Sequence, residues 1–422
     1  MRSIKILSVN WLAILFFLSI LTFFWSQIYI DYNLVFLPLD FAWRWQHWWQ
    51  SWRNQPELLT TIYIVLIASW LIAWFQLSKT NYQSILPKIT SRSSWQIIKW
   101  WLIIMVPLWL GYNALSHDIF NYLFNAKMVL FYQTNPHQIT AMEFASDPWV
   151  RFMHNIHTPA PYGYGWTAVS LLPLGLSAGI FSLAFLLMKI WSVFGFAIYL
   201  LIIWWWFNRL SQNNNAAKWW FLATNPLFVL EVVLNGHNDF WMMWPALLSI
   251  LLLQLRSKFN WRYGLVAVLL WTFSWNVKLS TILLAPIVLL MLLQPVVNKY
   301  RQIKWLGKTN EFLMDHWGDF AALLMILPLF TARSQWFHPW YLIWPLAFWP
   351  FVKWSSLRAI LLGLMISSLL RYWPWLANNL EYTDQVIWQM RATTWIGALI
   401  VFGIWLIRKF FNRLDCDHLQ KV

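Results

Sequence analysis

A carboxylate follows directly on an apolar segment in LWLGYNALSHDIFNYLFNAKMVLFYQTNPH, residues 108–137. Asp118 has His117 beside it, and Tyr122 comes four residues later, so a helix would place the acid and the phenol on one face. A carboxylate can take a proton from a hydroxyl group as a general base. It can equally cap the start of the helix, and Ser116 is the rival for that role. The residue types alone leave both roles open.

Three later segments also place polar side chains between apolar stretches. They are LNGHNDFW with His237 and Asp239, SWNVKLST with Lys278, and ARSQWFHPWYLIW with Arg333, His338, Trp340 and Tyr341. Lys278 and Arg333 would suit a phosphate group, the arginine by its planar fork and the lysine as a point charge. Alternatively, the Lys278 side chain extends to the lipid head groups.

The segment between Asp118 and residue 165 contains further possible metal ligands. Glu143 and Asp147 are four residues apart, and His154 and His157 are three apart. Oxygen and imidazole groups at such spacings can bind a divalent cation. A solvated polar loop explains the same residues, and no tighter ligand motif is present. We therefore assign no metal ligand, and a divalent metal remains the one cofactor to test.

The elements that must position these residues are membrane helices. The 422 residues are 60% hydrophobic and 11% charged, and apolar stretches recur from one end to the other. A stretch of about 20 apolar residues crosses a bilayer. About twelve crossings are predicted, at 7–30, 58–77, 97–115, 181–207, 217–234, 238–255, 263–276, 279–297, 318–332, 340–352, 357–374 and 386–407. Segment 166–178 is too short to cross and is predicted to be a re-entrant or half helix. The prediction is an all-α integral membrane protein, a polytopic helical bundle in one domain, 1–422.

The distribution of charge predicts the orientation of the chain. The net charge is +15, but lysine and arginine lie in short loops and not in one basic stripe, which argues against a nucleic-acid partner. The pattern suits anionic membrane lipids and the cytoplasmic membrane, with both termini in the cytoplasm. Residues 116–165 then form the first large loop on the outer face. Within it, the segment that starts at Asp118 is predicted to be an amphipathic helix on the membrane surface.

Several segments, in this order, resemble a known family. SHDIFNYLFNAKMVLFYQTNPH, PYGYGW, LNGHND, NVKLSTILLAPIVLL and HPWYLIWPLAF are similar to segments of the polytopic GT-C glycosyltransferases. The greatest similarity is to the bacterial polyprenyl-phosphate-mannose-dependent mannosyltransferases, over roughly 110–350. Tyr122, Asn135 and Pro136 match the tyrosine and the Asn-Pro pair that follow the acid in that family.

The resemblance implies an activity and a role for the acid. Members of the family transfer a sugar from a polyprenyl phosphate to an acceptor on the outer face, usually with inversion, and by position Asp118 would be the general base. The acceptor would be a glycan or a glycolipid. The predicted substrate-binding residues are His117, Tyr122, Asn135, His237, Asp239, Lys278, Arg333, His338, Trp340 and Tyr341. His117 and His237 would tune Asp118 or position the acceptor, and the aromatic rings would contact the sugar.

Two other functions fit the same composition. A lipid-linked oligosaccharide ligase or polymerase also uses basic residues on the outer face, but its donor is carried on a pyrophosphate. A transporter or flippase would move its substrate without forming a glycosidic bond, and several acids in mid-span would be expected. Glu231, near the end of a predicted span, is the one good candidate for such an acid.

Overall fold

The structure is a computed structural model, and it describes residues 2–31, 34, 44–45, 47–48, 51–78, 94–210, 215–255, 261–300, 302–330 and 337–419. Arg333 therefore lies outside the described residues. The chain divides into two compact units, Met1–Ile282 and Leu283–Val422. Over the described ranges the regular elements are helices, and no strand is found.

The helices of the first unit are α1 (Arg2–Gln27), α2 (Pro56–Ser78), α3 (Ser94–Trp109), α4 (Asp118–Leu130), α5 (Tyr164–Leu176), α6 (Phe181–Arg209), α7 (Asn215–Ala223), α8 (Asp239–Gln254) and α9 (Trp261–Val277). Those of the second unit are α10 (Ala285–Leu292), α11 (Gln294–Lys299), α12 (Lys304–Asp315), α13 (Trp317–Ile326), α14 (Ser355–Leu370), α15 (Trp373–Ala377) and α16 (Asp384–Leu419).

Five helical stretches in the described parts of the chain are long and apolar enough to cross a membrane. They are Pro56–Leu77, Phe181–Arg209, Leu279–Lys299, Ser355–Ala377 and Asp384–Lys409. A bent pair, Gly307–Asp315 with Trp317–Phe330, meets at 67° and makes a sixth if it is one span. This supports an all-α membrane protein and does not confirm twelve crossings. Helix α5 has 13 residues and is not among the candidates.

Proline breaks two of the spans predicted from composition. Segment 340–352 consists of three short helical pieces, Pro339–Leu342, Ile343–Leu346 and Trp349–Phe351, and is not one continuous helix. Segment 217–234 is interrupted before Pro226. Proline cannot donate a backbone hydrogen bond and its ring clashes with the preceding turn, so apolar composition alone predicted a continuity that the backbone cannot keep.

Helix α4, which begins at Asp118, is buried on most of its circumference. Nine of its 13 residues are buried, including the polar residues Asn121, Tyr122 and Asn125. The expectation of an amphipathic helix with one face on the membrane surface is therefore wrong. Helix α4 packs against α5 and α6, so it is part of the interior of the first unit.

An irregular turn connects α7 to α8 and carries several polar residues. The Asn225 side chain accepts hydrogen bonds from the backbone N–H groups of Leu227 and Phe228, so a helix starts there, with Pro226 at its first position. The chain then widens into a π-helix, Val229–Leu234. Gly236 ends it with a φ of +77°, and a Cβ there would lie 3.0 Å from Ile119 Cδ1. Only glycine meets both demands without strain.

A buried lysine forms hydrogen bonds to the segment that precedes Asp118. Lys189 of α6 is fully buried, and its Nζ donates to the carbonyl oxygens of Leu108, at 3.2 Å, and of Gly111. These oxygens belong to the end of α3 and to the turn after it, where the last carbonyls of a helix lack partners within the helix. A cation at that end also interacts favourably with the helix dipole.

Candidate active site

Asp118 occupies the first residue of α4, and its carboxylate does not cap the helix. The capping position is His117, whose side chain forms no capping hydrogen bond, and the Ser116 hydroxyl accepts from the Asp118 backbone N–H at 3.3 Å. The Asp118 carboxylate instead accepts a hydrogen bond from the Tyr162 hydroxyl at 2.8 Å. Its side chain is 17% exposed. The carboxylate is therefore accessible in part, and the capping interpretation of Asp118 is wrong.

The surroundings of Asp118 favour its protonated form more than water does. Burial raises the pKa of the Asp118 carboxyl, and the charge of Asp239 adds to the rise. The hydrogen bond from Tyr162 and the charge of Lys278 act in the opposite direction and lower the pKa. The net shift is upward, towards the range in which a general base works at neutral pH.

Lys278 is ion-paired in the interior and does not extend to head groups. Its Nζ lies 2.6 Å from Asp239 Oδ1, with side chains 10% and 0% exposed. It also lies 5.3 Å from the centre of the Tyr162 ring, a distance suited to a cation–π contact. The alternative in which the Lys278 side chain extends to the lipid head groups is therefore wrong. Because Asp239 holds Lys278, the ammonium does not neutralise Asp118 by direct contact.

Aromatic rings line the space next to the acid. The Tyr122 ring meets the rings of Tyr162 and Trp166 edge to face, with centroids 5.0 and 5.1 Å apart. The Tyr122 hydroxyl donates to Asn238 Oδ1 at 3.3 Å. Tyr122 therefore connects the helix of Asp118 to the turn that carries Asp239.

His237 lies on the other side of Asp118, between two carboxylates. Its Nδ1 is 3.6 Å from Asp118 Oδ2, and its Nε2 is 3.4 Å from Glu231 Oε2. His237 and Glu231 are both fully buried. Glu231 also accepts from the Asn235 amide at 3.2 Å. The irregular turn between α7 and α8 thus supplies both an acid and an imidazole to the site.

His117, although adjacent to the acid in sequence, faces a different part of the loop. Its Nδ1 lies 3.2 Å from the Phe152 carbonyl oxygen, which can only accept, and its ring stacks on His154 at 4.0 Å. Burial, with a smaller contribution from the nearby His154, lowers the pKa of His117 to about 4. His117 is therefore neutral at physiological pH. Its described contacts connect the start of α4 to the segment that contains Phe152 and His154.

Asn135 also organises the loop. Its Oδ1 accepts from the His137 backbone N–H at 3.0 Å, and its amide donates to the Tyr164 hydroxyl at 3.4 Å. The His137 ring lies against the Tyr164 ring, with centroids 4.0 Å apart and the planes tilted by 37°, and its Nε2 lies 3.0 Å from the Thr167 hydroxyl. These contacts connect the Asn-Pro turn to the start of α5, next to Tyr162.

The possible metal ligands of the loop do not form a cluster. Within the described ranges, no three histidine, cysteine or acidic side chains come close enough to share a metal ion. Asp147 pairs with Lys127 at 2.5 Å and accepts from the Tyr132 hydroxyl at 2.6 Å. Burial alone would raise the pKa of Asp147, but the hydrogen bonds to it outweigh burial and lower the pKa. The His157 ring lies against Met142 Sδ at 3.4 Å.

Three of the predicted site residues form an aromatic cluster in the second unit. His338 stacks on Trp340 with ring centroids 4.3 Å apart, and Tyr341 meets His338 edge to face at 5.4 Å. The remaining predicted residue, Arg333, belongs to the part of the chain that is not described. The structure thus brings together Asp118, Tyr122, His237, Asp239 and Lys278.

Sequence reasoning missed two residues that contact this group directly. Tyr162 donates to Asp118 from 44 residues away, and Glu231 contacts His237 from within the π-helix. The segment PYGYGW, which resembles the family, contains Tyr162 and was the one signal that pointed to it. Glu231 was considered only as a transporter acid, because its sequence position places it at the end of an apolar span.

A comparison with protein families identifies the family of the chain. Residues 36–294, more than half of the chain, match the family described as "Alpha-(1->6)-mannopyranosyltransferase, N-terminal domain" (MptA_B_family), and the match includes every residue from Asp118 to Lys278. Neither the curated proteins nor the solved structures contain a significant match. With an all-helical architecture that contains several apolar helices of spanning length, the chain belongs to this family of α-mannosyltransferases and is a membrane glycosyltransferase.

Proposed function

We propose that the protein transfers mannose from a polyprenyl-phosphate donor to a hydroxyl group of a glycan or glycolipid, on the outer face of the cytoplasmic membrane. Asp118 acts as the general base and the anomeric configuration is inverted. The observation that carries this proposal is the state of Asp118. Its carboxylate is partly exposed, has a raised pKa, and is separated from direct ion pairing because Asp239 holds Lys278.

The proposed step moves one proton and exchanges one bond. Asp118 takes the proton of the acceptor hydroxyl as the acceptor oxygen bonds to the anomeric carbon. The bond from that carbon to the phosphate oxygen breaks, and the phosphate leaves with the bonding electrons. A phosphate is a fair leaving group, so a single base suffices. The Lys278 charge beside the site offsets the charge that develops on the phosphate.

The position of the site on the outer face remains part of the proposal. The distribution of lysine and arginine supports it, since the basic loops place the loop of Asp118 opposite to the cytoplasm. An inverting transfer that yields an α-linkage requires a donor with the β configuration. The donor is therefore a β-linked mannosyl polyprenyl phosphate, and membrane lipids surround its carrier chain.

A donor assay on the purified protein tests this function. The protein in lipid nanodiscs is incubated with an alkyl α-mannoside acceptor and with one of three donors: β-mannosyl polyprenyl phosphate, its α anomer, or an oligosaccharide on polyprenyl pyrophosphate. Transfer from the β-linked phosphate alone, with an α-linkage in the product by NMR, is the expected result. Transfer from the pyrophosphate donor alone would identify a ligase or polymerase and contradict the proposal.

The pH dependence of kcat/KM for transfer should depend on the hydrogen bond between Tyr162 and Asp118. The base must be deprotonated, so transfer falls as the pH falls through the Asp118 pKa, which lies above its ordinary value. The Tyr162 hydroxyl lowers that pKa, so Tyr162→Phe raises it further and moves the acid limb of kcat/KM to higher pH. The profile is measured with Tyr164→Phe as the control, because Tyr164 hydrogen-bonds to Asn135. An acid limb that moves to lower pH would contradict the assignment.

Gly163 sets the distance between Tyr162 and Lys278. Its backbone N–H donates to the Val277 carbonyl oxygen at 2.9 Å, and a Cβ on it would lie 1.9 Å from the Asn276 carbonyl oxygen. Gly163→Ala must therefore push the start of α5 away from the end of α9. A displacement of this kind is expected to lower transfer about 100-fold. Gly175→Ala, in the same helix with no atom within 4 Å, should transfer at the wild-type rate. Equal rates for both variants would show that this contact does not position the site.

A further inference from the structure

A buried imidazole and a buried carboxylate lie behind Asp118, and the transfer step described above does not use them. His237 presents Nδ1 to Asp118 Oδ2 at 3.6 Å and Nε2 to Glu231 Oε2 at 3.4 Å. Both residues have no exposed surface, whereas the Asp118 side chain is 17% exposed. The three groups therefore form a line from the accessible acid into the interior.

The backbone conformation around residues 229–237 places Glu231 and His237 next to each other. Glu231 belongs to the π-helix, a rare form that is frequent at functional sites. The left-handed turn at Gly236 brings the chain back, so that the His237 backbone N–H donates to the Glu231 carbonyl oxygen at 3.0 Å. A carboxylate without charge compensation is costly to bury in a membrane protein. The imidazole beside Glu231 supplies a partner that can accept and carry a positive charge.

We propose that His237 receives the proton that Asp118 takes from the acceptor, and that Glu231 stabilises His237 in the tautomer and the charge state which this transfer requires. The inference rests on the proposed function, in which Asp118 is the base. His237 starts as the neutral ring with its hydrogen on Nε2, facing Glu231, and a lone pair on Nδ1, facing Asp118. Residues that fix one ring nitrogen of a histidine determine the role of the other.

The proton balance of the relay is simple. The acceptor O–H bond breaks and its proton binds Asp118 Oδ2, then moves to His237 Nδ1. Asp118 is again a carboxylate, and His237 is an imidazolium between two carboxylates. An imidazole in general binds a proton more tightly than a carboxylate does. The transfer from Asp118 to His237 therefore favours the transfer from the acceptor to Asp118. The negative charge of Glu231 stabilises the imidazolium in an interior of low dielectric constant. After the product leaves, the proton returns from His237 Nδ1 to Asp118 Oδ2 and passes to water from the partly exposed carboxylate.

A purely structural role for Glu231 makes a different prediction. Glu231 accepts from Asn235, and Asn235 in turn accepts from the Leu115 backbone N–H at 3.3 Å, so the pair also holds the chain that precedes Asp118. Glu231→Gln keeps the side-chain size and an oxygen that accepts from Asn235. It removes the negative charge that the relay needs. The substitution therefore separates the two roles.

The experiment compares Glu231→Gln, His237→Gln and the double variant in the β-mannosyl polyprenyl phosphate assay. We expect each single variant to lower kcat about 10- to 100-fold, the range measured for residues that orient a functional histidine, with KM within about twofold of wild type. The double variant should be no slower than His237→Gln, because Glu231 acts through His237.

The controls separate the relay from folding and from the proposed function. Asp319→Asn alters a second buried carboxylate–histidine pair, in which Asp319 Oδ2 lies 2.8 Å from His316 Nδ1, and it should keep the wild-type kcat. A wild-type kcat for Glu231→Gln or for His237→Gln would overturn the relay while Asp118→Asn stays inactive. An active Asp118→Asn would instead overturn the assignment of the base itself.

Discussion

Asp118→Asn is expected to abolish mannose transfer while the protein still folds and inserts. Asparagine keeps the shape of the side chain and an oxygen that can accept from Tyr162, so the packing at the start of α4 is preserved. It cannot take the proton of the acceptor hydroxyl. The loss of a positioned general base lowers a rate by about 100- to 10,000-fold. The measurement is single-turnover transfer from β-mannosyl polyprenyl phosphate, with the melting temperature of the purified variant.

Glu143→Gln is the matched control for this substitution. Glu143 is an exposed acid of the same loop, and the structure gives it no contact with Asp118. It should transfer at the wild-type rate. If Asp118→Asn also stayed near the wild-type rate, Asp118 would not be the base, whatever the family assignment of the chain.

The second large effect concerns stability, and it follows from the buried ion pair. Lys278→Met should lower the melting temperature sharply, because it leaves the fully buried Asp239 carboxylate without its partner. Breaking a buried pair from one side costs about 3–5 kcal/mol. Asp239→Asn combined with Lys278→Met removes both charges and should recover most of the loss. The melting temperatures of wild type, Lys278→Met, Asp239→Asn and the double variant form a double-mutant cycle.

An exposed pair in the second unit provides the comparison. The Lys353 ammonium contacts Asp315, and their side chains are 52% and 61% exposed. Solvent already stabilises both charges, so Lys353→Met should leave the melting temperature unchanged within error. A melting temperature of Lys278→Met as high as that of wild type would mean that the pair with Asp239 contributes nothing to the fold.

The sequence identified the polar residues of the site, but it did not show which of them contact each other. Asp118 and Tyr122 were placed on one face by helical spacing alone, and the structure has a helix from Asp118 to Leu130. Lys278 and Asp239 are 39 residues apart, and nothing in the spacing of their segments indicates that they meet. The sequence therefore suggested a phosphate group or the lipid head groups as the partner of Lys278, and did not suggest Asp239. A contact between distant segments depends on how the helices pack, which a hydrophobic pattern does not encode.

Apolar composition also predicted more continuity than the backbone has. The segments around 217–234 and 340–352 are apolar enough for spans, but the first is interrupted before Pro226 and the second between Leu346 and Trp349, before Pro350. The interruption before the π-helix is also what places Glu231 and His237 beside Asp118. Such irregular backbone is hard to foresee, because the residues of VLEVVL are those of an ordinary apolar helix.

The buried Lys189 makes the assembly of the protein in the membrane an ordered event. A charged lysine at the centre of a helix costs about 2.5–3.5 kcal/mol to insert into lipid by itself. The oxygens of Leu108 and Gly111 that receive its hydrogen bonds precede it in the chain and are synthesised before it, so its partners are present when α6 is made. Helix α6 therefore inserts as the partner of α3 and not as an independent anchor. In a truncated chain that lacks α3, this lysine would be exposed to lipid. Such a chain is expected to be recognised as misassembled and degraded.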